Sequence, residues 1–317
     1  MITFATFQSG IAQGLLWAIL TVGVYITYRI LDIADLTIEG TFPLGAAVTV
    51  VLINTGMNPI IAMLIAMLAG ALAGLATGIL QTFFKIPAIL SGILTMITLY
   101  SVNLRIMNDK ATVAIAGDSV KTLVARLFPK NTISNTLSIS VGLVVCVLII
   151  IALYLFFGTE LGCAIRSTGS NANVSRAMGI NTDRMKIIGL MISNALIAIS
   201  GSLIAQFDYG SALVNMGQGT IVIGLASVII GEVIFIHRDH NFAYKLSAVI
   251  IGAIIYRTII CLALTLPWLK ATDLKMITAV IVAIALAIPV LKEKISFQRK
   301  KKAAKKTALK SKEGEAA

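Results

Sequence analysis

Six ionisable side chains stand inside or beside runs of residues that are otherwise apolar: Arg29, Asp32, Asp35, Glu39, Glu232 in Ile230-Gly-Glu-Val-Ile234, and Arg257 in Ile255-Tyr-Arg-Thr-Ile259. A charge at bilayer depth is costly unless it reaches a partner or water, so such groups face the interior of a bundle. Their chemistry there is recognition of charge. A carboxylate at Glu39 can meet an ammonium, and Asp35, Thr37, Glu39, Glu232 and Arg257 are the candidate substrate-pathway residues. Simpler roles stand beside this one. Asp32 and Asp35 can lie in a solvated loop, loosely paired with Arg29. Glu232 can snorkel to a pore mouth, and Arg257 can tie backbone carbonyls together. Asn103, Arg105 and Asn194 read as hydrogen bonds between helices or as ligand contacts.

Catalytic patterns are absent. The sequence holds no G-x-x-x-x-G-K-[ST] loop to cradle nucleotide phosphates, no H-E-x-x-H helix and no G-x-S-x-G elbow. His237 and His240 flank Arg238 and Asp239 in what reads as a solvated turn. Cys146, Cys163 and Cys261 suggest neither a disulfide framework nor a metal cluster. No cofactor is expected in this chain.

The most polar internal run is Gly158 to Lys186. Ser170 or Asn171 can cap a short helix there, and Val174, Ala177 and Met178 share one face at i, i+3, i+4 spacing. Gly179 is the residue type that ends helices, and Asn181 or Thr182 can cap the next segment. The pattern predicts a helix of about two turns lying across the ends of two spans. Arg166, Arg176, Arg184 and Lys186 surround it.

The elements that must position these groups are membrane helices. The 317 residues are 58% hydrophobic and only 13% charged, which excludes a soluble domain. Apolar runs at 9–28, 41–53, 60–80, 87–106, 137–157, 187–206, 219–236, 245–265 and 274–291 predict an all-α, polytopic membrane helix bundle with about nine spans. One span is broken, because Asp32, Asp35 and Glu39 precede Gly40, Pro43 and Gly45, and helix is not expected to continue smoothly through that stretch. Broken backbone at membrane depth belongs where it faces protein or a water-filled cavity. Gly70, Gly74 and Gly78 form a small-residue packing face. The first run, with no Lys or Arg ahead of it, is kept as a membrane helix and not as a cleaved signal.

Residues 1–291 are expected to form one transmembrane domain with the polar loop near 158–186, and 292–317 a basic, disordered tail. Ten bases against three acids place the tail in the cytoplasm and supply seven of the chain's net +12 charges. Nine spans then put the amino terminus outside and the polar loop inside. Anionic lipid is the tail's expected partner. Nucleic acid is not, since the cluster directly follows a span and lacks interleaved aromatics. In the outer loop, Val120, Leu123, Val124 and Leu127 fall at helical spacing, as a ledge for an external protein or a helix on lipid headgroups.

From Gly162 to Asn181 the chain carries G-x-x-x-R, a polar gap, then N-A-x-x-S-R-A-M-G-I-N. This resembles permease subunits of ATP-binding-cassette (ABC) importers in the branched-chain amino acid and ribose class. Ala34-Asp-Leu-Thr-Ile-Glu-Gly-Thr-Phe-Pro-Leu-Gly45 adds to the likeness, especially to tryptophan- or tyrosine-type uptake permeases. Sugar-carrying relatives have Asp-Leu-Ser-Val-Gly here, with a small residue in place of Glu39. The resemblance implies a coupling helix that docks a partner ATPase, formed here by Asn171, Ala172, Val174, Ser175, Arg176, Ala177, Met178 and Gly179. It also implies ABC ATPase subunits that bind ATP and Mg, an extracellular or periplasmic substrate-binding protein, and a second copy of the chain across the pore. An aromatic or related amino acid is the expected solute and a bacterial cell (inner) membrane the expected location. The alternatives are an ion-coupled secondary transporter using Glu39, Glu232 or Arg257, or an ABC permease for a sugar or nucleoside. A secondary carrier would need paired broken helices, and one is visible.

Overall fold

The computed structural model describes residues 4–116, 134–235 and 241–265, with 276, 278–280, 282–283 and 287. Helix α1 (Phe4–Tyr25) runs into a π-helical turn (Ile26–Ile30), and residues 31–37 are irregular. Then follow α2 (Ile38–Asn54), α3 (Pro59–Thr82), α4 (Ala88–Ile106) and strand β1 (Thr112–Ala114). After α5 (Ser134–Phe157) come two short helices, α6 (Glu160–Ser170) and α7 (Ala172–Ala177). The long α8 (Thr182–Ile204) ends in a second π-helical turn (Ala205–Tyr209), and β2 (Ser211–Leu213), α9 (Thr220–Phe235) and α10 (Phe242–Ala263) complete the order.

Six helices are long and apolar enough to cross a membrane by length and composition, and α2 and α9 are shorter apolar helices. Eight of the nine expected apolar runs are therefore helices, six of them of spanning length. The ninth, at 274–291, is described only in scattered residues. Val120, Leu123, Val124 and Leu127, the histidines His237 and His240, and the tail at 292–317 lie outside the described residues. The fold is not purely helical: β1 and β2 form an antiparallel ribbon with Val113 opposite Ala212.

Capping residues set the helix starts. The Asn58 side chain accepts from the Ile60 amide at 2.9 Å with Pro59 in the first helical position, where its missing N–H leaves nothing unpaired. The break does not fall where the glycines and proline predict it. Helix α2 runs through Gly40, Pro43 and Gly45, and the irregular backbone lies at 31–37, with Asp32 in the left-handed region at φ 56°. Pro43 already has helical φ, and it costs the helix one donor. The Glu39 carbonyl freed in this way is covered by Gly217, packed so closely that a Cβ would overlap the oxygen. Gly45 likewise lies against the Ala198 backbone. These glycines permit close approach, and none of them ends the helix.

Helix α8 is the centre of the bundle, in contact with α1, α2 and α3. Gly70, Gly74 and Gly78 of α3 lie against Asn194, Leu190 and Ile187 of α8, an antiparallel pairing in which the glycines meet α8 backbone. Where lipid surrounds a bundle, burial of apolar side chains drives association weakly, so close backbone packing and hydrogen bonds carry the fit. The outer faces of α3 and α5 are apolar accordingly, with Leu68, Leu72, Leu148 and Leu155 exposed. One end of the bundle gathers residues 31–37, α6, α7 and the start of α10, and the opposite end carries the ribbon. Gly74→Leu is expected to destabilise the protein by about 1–3 kcal/mol or more, because overpacking displaces backbone. Thermal unfolding in detergent, beside an outward-facing Leu72→Ala control within about 0.5 kcal/mol of wild type, measures it.

Candidate functional site

The irregular segment is built around Asp35, which is 1% exposed. Its Oδ1 accepts from the Thr37 amide at 2.9 Å, and its Oδ2 accepts from Asn194 Nδ2 at 2.8 Å. Asn194 in turn accepts from the Thr41 hydroxyl at 2.8 Å. The Thr37 and Thr77 hydroxyls lie 2.7 Å apart, and Thr77 donates to Thr95 at 3.0 Å. One polar chain thus joins the break to α2, α3, α4 and α8. Asp35 is therefore neither solvated nor paired with Arg29, as the sequence alone suggested. Arg29 Nε instead meets Glu232 Oε1 at 2.9 Å, at the α6–α7 end.

The polar loop is two helices where one was expected. Thr159 caps α6 through the Gly162 amide at 3.3 Å. Asn171 caps α7 through the Asn173 and Val174 amides, both at 3.1 Å. Gly179 at φ 83° turns the chain, and Asn181 caps α8 through the Arg184 amide at 3.1 Å. Ser175 is buried, with its hydroxyl 2.7 Å from that of Ser167 in α6. Arg176 reaches back to α8, with Nε donating to Thr182 Oγ1 at 2.7 Å and a terminal nitrogen to Asp183 at 2.9 Å. Asn171, Ala172, Ser175, Arg176 and Gly179 therefore shape and anchor the element. Val174, Ala177 and Met178 are its outward knobs, Met178 being 75% exposed. On its other side α6 sits directly on the break, since a Cβ at Gly169 would overlap the Ile30 carbonyl.

The charged candidates occupy three separate cavities. Glu39, Asn103 and Gln218 line one of about 460 Å³. Glu39 Oε1 accepts from the Gly219 amide at 2.9 Å, and buried Asn103 donates to the Gly40 carbonyl at 3.2 Å while its Oδ1 has no partner among the described residues. The Glu39 carboxylate and the open Asn103 Oδ1 are acceptors that suit an ammonium. Arg29, Arg166, Glu232 and Lys245 line a second cavity of about 340 Å³ beside α6. Arg257 lines a third of about 590 Å³ with Trp17, Tyr209 and Tyr256. Its guanidinium carbon lies 3.9 Å from the Trp17 ring centroid; a tie to backbone carbonyls was one of the two readings of this residue. Asp35 and Thr37 line none of these three cavities.

Residues 6–290 match the family described as branched-chain amino acid transport system / permease component. The chain belongs to this family. It is 42% identical over 280 residues to the tyrosine transport system permease protein of Clostridioides difficile (strain R20291), covering 88% of this chain and 90% of that one. Over 281 residues it is 33% identical to an uncharacterized protein of Rickettsia prowazekii (strain Madrid E), covering 88% and 96%. The fructose import permease protein FruG of Bifidobacterium longum (strain NCC 2705) is 28% identical over 218 residues, covering 68% and 63%. No solved structure matches. As an ABC importer permease the chain is a transport component and not an enzyme, a multi-pass protein of the bacterial cell membrane. Membership implies ATPase and substrate-binding-protein partners in general.

Asn194 was visible in the sequence as a polar residue within a span, but its partner Asp35 lies 159 positions away. The hydroxyls of Thr41, Thr77 and Thr95 gave one signal, polar groups in apolar helices, and no pairing. Asp35→Asn sets its new amide donor against that of Asn194 and is expected to destabilise by about 1–3 kcal/mol. Adding Asn194→Asp is expected to recover part of the loss, by restoring a donor–acceptor pair. Thermal melts of the two variants decide this, and a neutral Asp35→Asn would remove the Asp35–Asn194 bond from its central place. Arg29→Ala, at an ion pair whose arginine side chain is 60% exposed, is expected to change stability by less than about 1 kcal/mol.

Proposed function

We propose that this permease forms the transmembrane pore of an ABC importer for an aromatic amino acid, docked to ATPase subunits through α7. The observation that carries the docking reading is the contrast within that helix. Val174 and Met178 are exposed apolar knobs, while Ser175 and Arg176 tie the opposite side to α6 and α8. A short, anchored helix moves as one piece with whatever grips its knobs. The ATPase subunits bind ATP and Mg and do the hydrolysis. The α6–α7 end faces the cytoplasm with the basic tail, which meets anionic lipid, and the amino terminus faces outside. At the ribbon end an external binding protein delivers solute to a pore shared with a second copy of the chain. Likeness to the tyrosine transport permease supports an aromatic solute. The Glu39 cavity supports an amino acid, because its acceptors suit an ammonium.

Met178→Asp and Ala177→Asp are expected to abolish co-purification with the ATPase subunit while leaving the permease melting temperature unchanged. Full retention of the ATPase would remove α7 from the interface. Cys163 of α6 is exposed, so a membrane-impermeant maleimide is expected to label it in inside-out vesicles and spare it in intact cells. The reverse pattern would invert the topology. Vesicles holding the permease with its ATPase and binding protein are expected to accumulate radiolabelled tyrosine only with ATP.

A further inference from the structure

We propose that the Arg257 cavity is a binding site for the carboxylate and ring of the transported aromatic amino acid. For the identity of the solute this rests on the function proposed above. Its other support is the character of the cavity wall.

The wall offers donors and aromatic faces. Arg257 Nε and Trp17 Nε1 are buried donors without hydrogen-bond partners among the described residues, while the Tyr209 hydroxyl bonds to the guanidinium and the Tyr256 hydroxyl is turned toward Thr278. Trp17 is 3% and Tyr256 1% exposed, so neither side chain can turn to bulk solvent. Buried donors are normally satisfied, and a set left open around one cavity calls for a ligand that accepts. Asp208 is the anionic neighbour of Arg257, but no salt bridge closes between them among the described residues. The Trp17 ring beneath the guanidinium fixes its plane. A planar cation held flat leaves its edge N–H groups for a planar acceptor, and a carboxylate matches that fork. An ammonium does not, since it too can only donate.

The rest of the lining selects among carboxylates. Trp17, Tyr209 and Tyr256 give the cavity three aromatic walls, and about 590 Å³ admits a small ligand with a ring. Gln218 lines both this cavity and the one holding Glu39. The two adjoin across the segment before α9, with a carboxylate on one side and a guanidinium on the other. A solute bearing an ammonium and a carboxylate finds complementary groups in turn along that wall.

The test uses the purified full-length permease and three probes: L-tyrosine, tyramine, which lacks the carboxylate, and 3-(4-hydroxyphenyl)propionate, which lacks the ammonium. Tyrosine and the propionate are expected to raise the melting temperature of the wild type, and tyramine, which can meet only the Glu39 cavity, to raise it less. Arg257→Gln is expected to weaken tyrosine binding about tenfold or more, as loss of a charge-assisted pair does. Trp17→Phe, which keeps the ring and removes the indole donor, is expected to weaken it less. Should Arg257→Gln fail to fold, the ranking of the three probes and the Trp17→Phe variant still decide. Equal shifts with tyrosine and tyramine, unchanged binding in folded Arg257→Gln, or no binding of either carboxylate would overturn the inference. So would native mass spectrometry showing an anionic lipid, lost in Arg257→Gln, that tyrosine does not displace. Vesicle uptake separates this inference from the proposed function. Tyrosine import with unchanged kinetics in Arg257→Gln sinks the site alone. Lack of any aromatic import by the wild type sinks the function, whatever the binding results.

Discussion

A carboxylate buried without a cation among the described residues holds this bundle in register. Asp35 is sealed from solvent and compensated there by the Thr37 amide and hydroxyl and the Asn194 side chain. Burial of a charge is unfavourable unless fixed dipoles replace the lost water, so the groups around it have little freedom to move independently. Asn194 also donates to the Leu190 carbonyl and accepts from the Thr41 hydroxyl. Through Thr37, Thr77 and Thr95 the same chain of bonds reaches α3 and α4. The irregular segment is therefore a corner fastened to four helices, and its geometry is set by partners far away in sequence.

That corner ties the polar loop to the membrane interior. Ser175 fastens α7 to α6, α6 seats Gly169 on the Ile30 carbonyl, and residues 31–37 lead from there to Asp35. Every step is a hydrogen bond or a backbone contact too close for a Cβ. Packed contacts of that kind pass on displacement, whereas long exposed side chains absorb it. The Arg29–Glu232 pair lies beside this route, but its exposure and single contact make it a weak tie.

The polar loop was legible in the sequence because capping is local chemistry. Asn171, Gly179 and Asn181 act within three residues of themselves, so spacing alone locates α7 and the start of α8. The glycine face of α3 was legible for a similar reason: small residues at every fourth position have one structural use. Pro43 misled because a proline is unfavourable in a helix only when the freed carbonyl and the ring find no room, and Gly217 provides it from 174 residues away. Asp35 misled because nothing near it in sequence could satisfy a carboxylate. Helix α6 was hidden in a run whose polarity suggested loop, although its buried Ile165 and Thr168 sit on one face.

The positions of Glu39 and Arg257 bear on what the interior can recognise. Had they paired, each would have cancelled the other, leaving a structural tie and no charge for a solute. Instead, Glu39 is engaged by the Gly219 amide and Arg257 by the Trp17 ring, and neither contact neutralises its charge. Gly217, packed on the Glu39 carbonyl, and Gly219, bonded to the Glu39 side chain, hold the intervening segment in place. The wall between the cavities therefore keeps an anionic group and a cationic group apart, with Asp208 the anionic neighbour of Arg257 and no cation bonded to Glu39 among the described residues. Partly buried charge without a closed ion pair is unfavourable in a static bundle. It becomes useful where a zwitterion brings the missing charges with it, because that solute gains at each cavity what an uncharged one cannot.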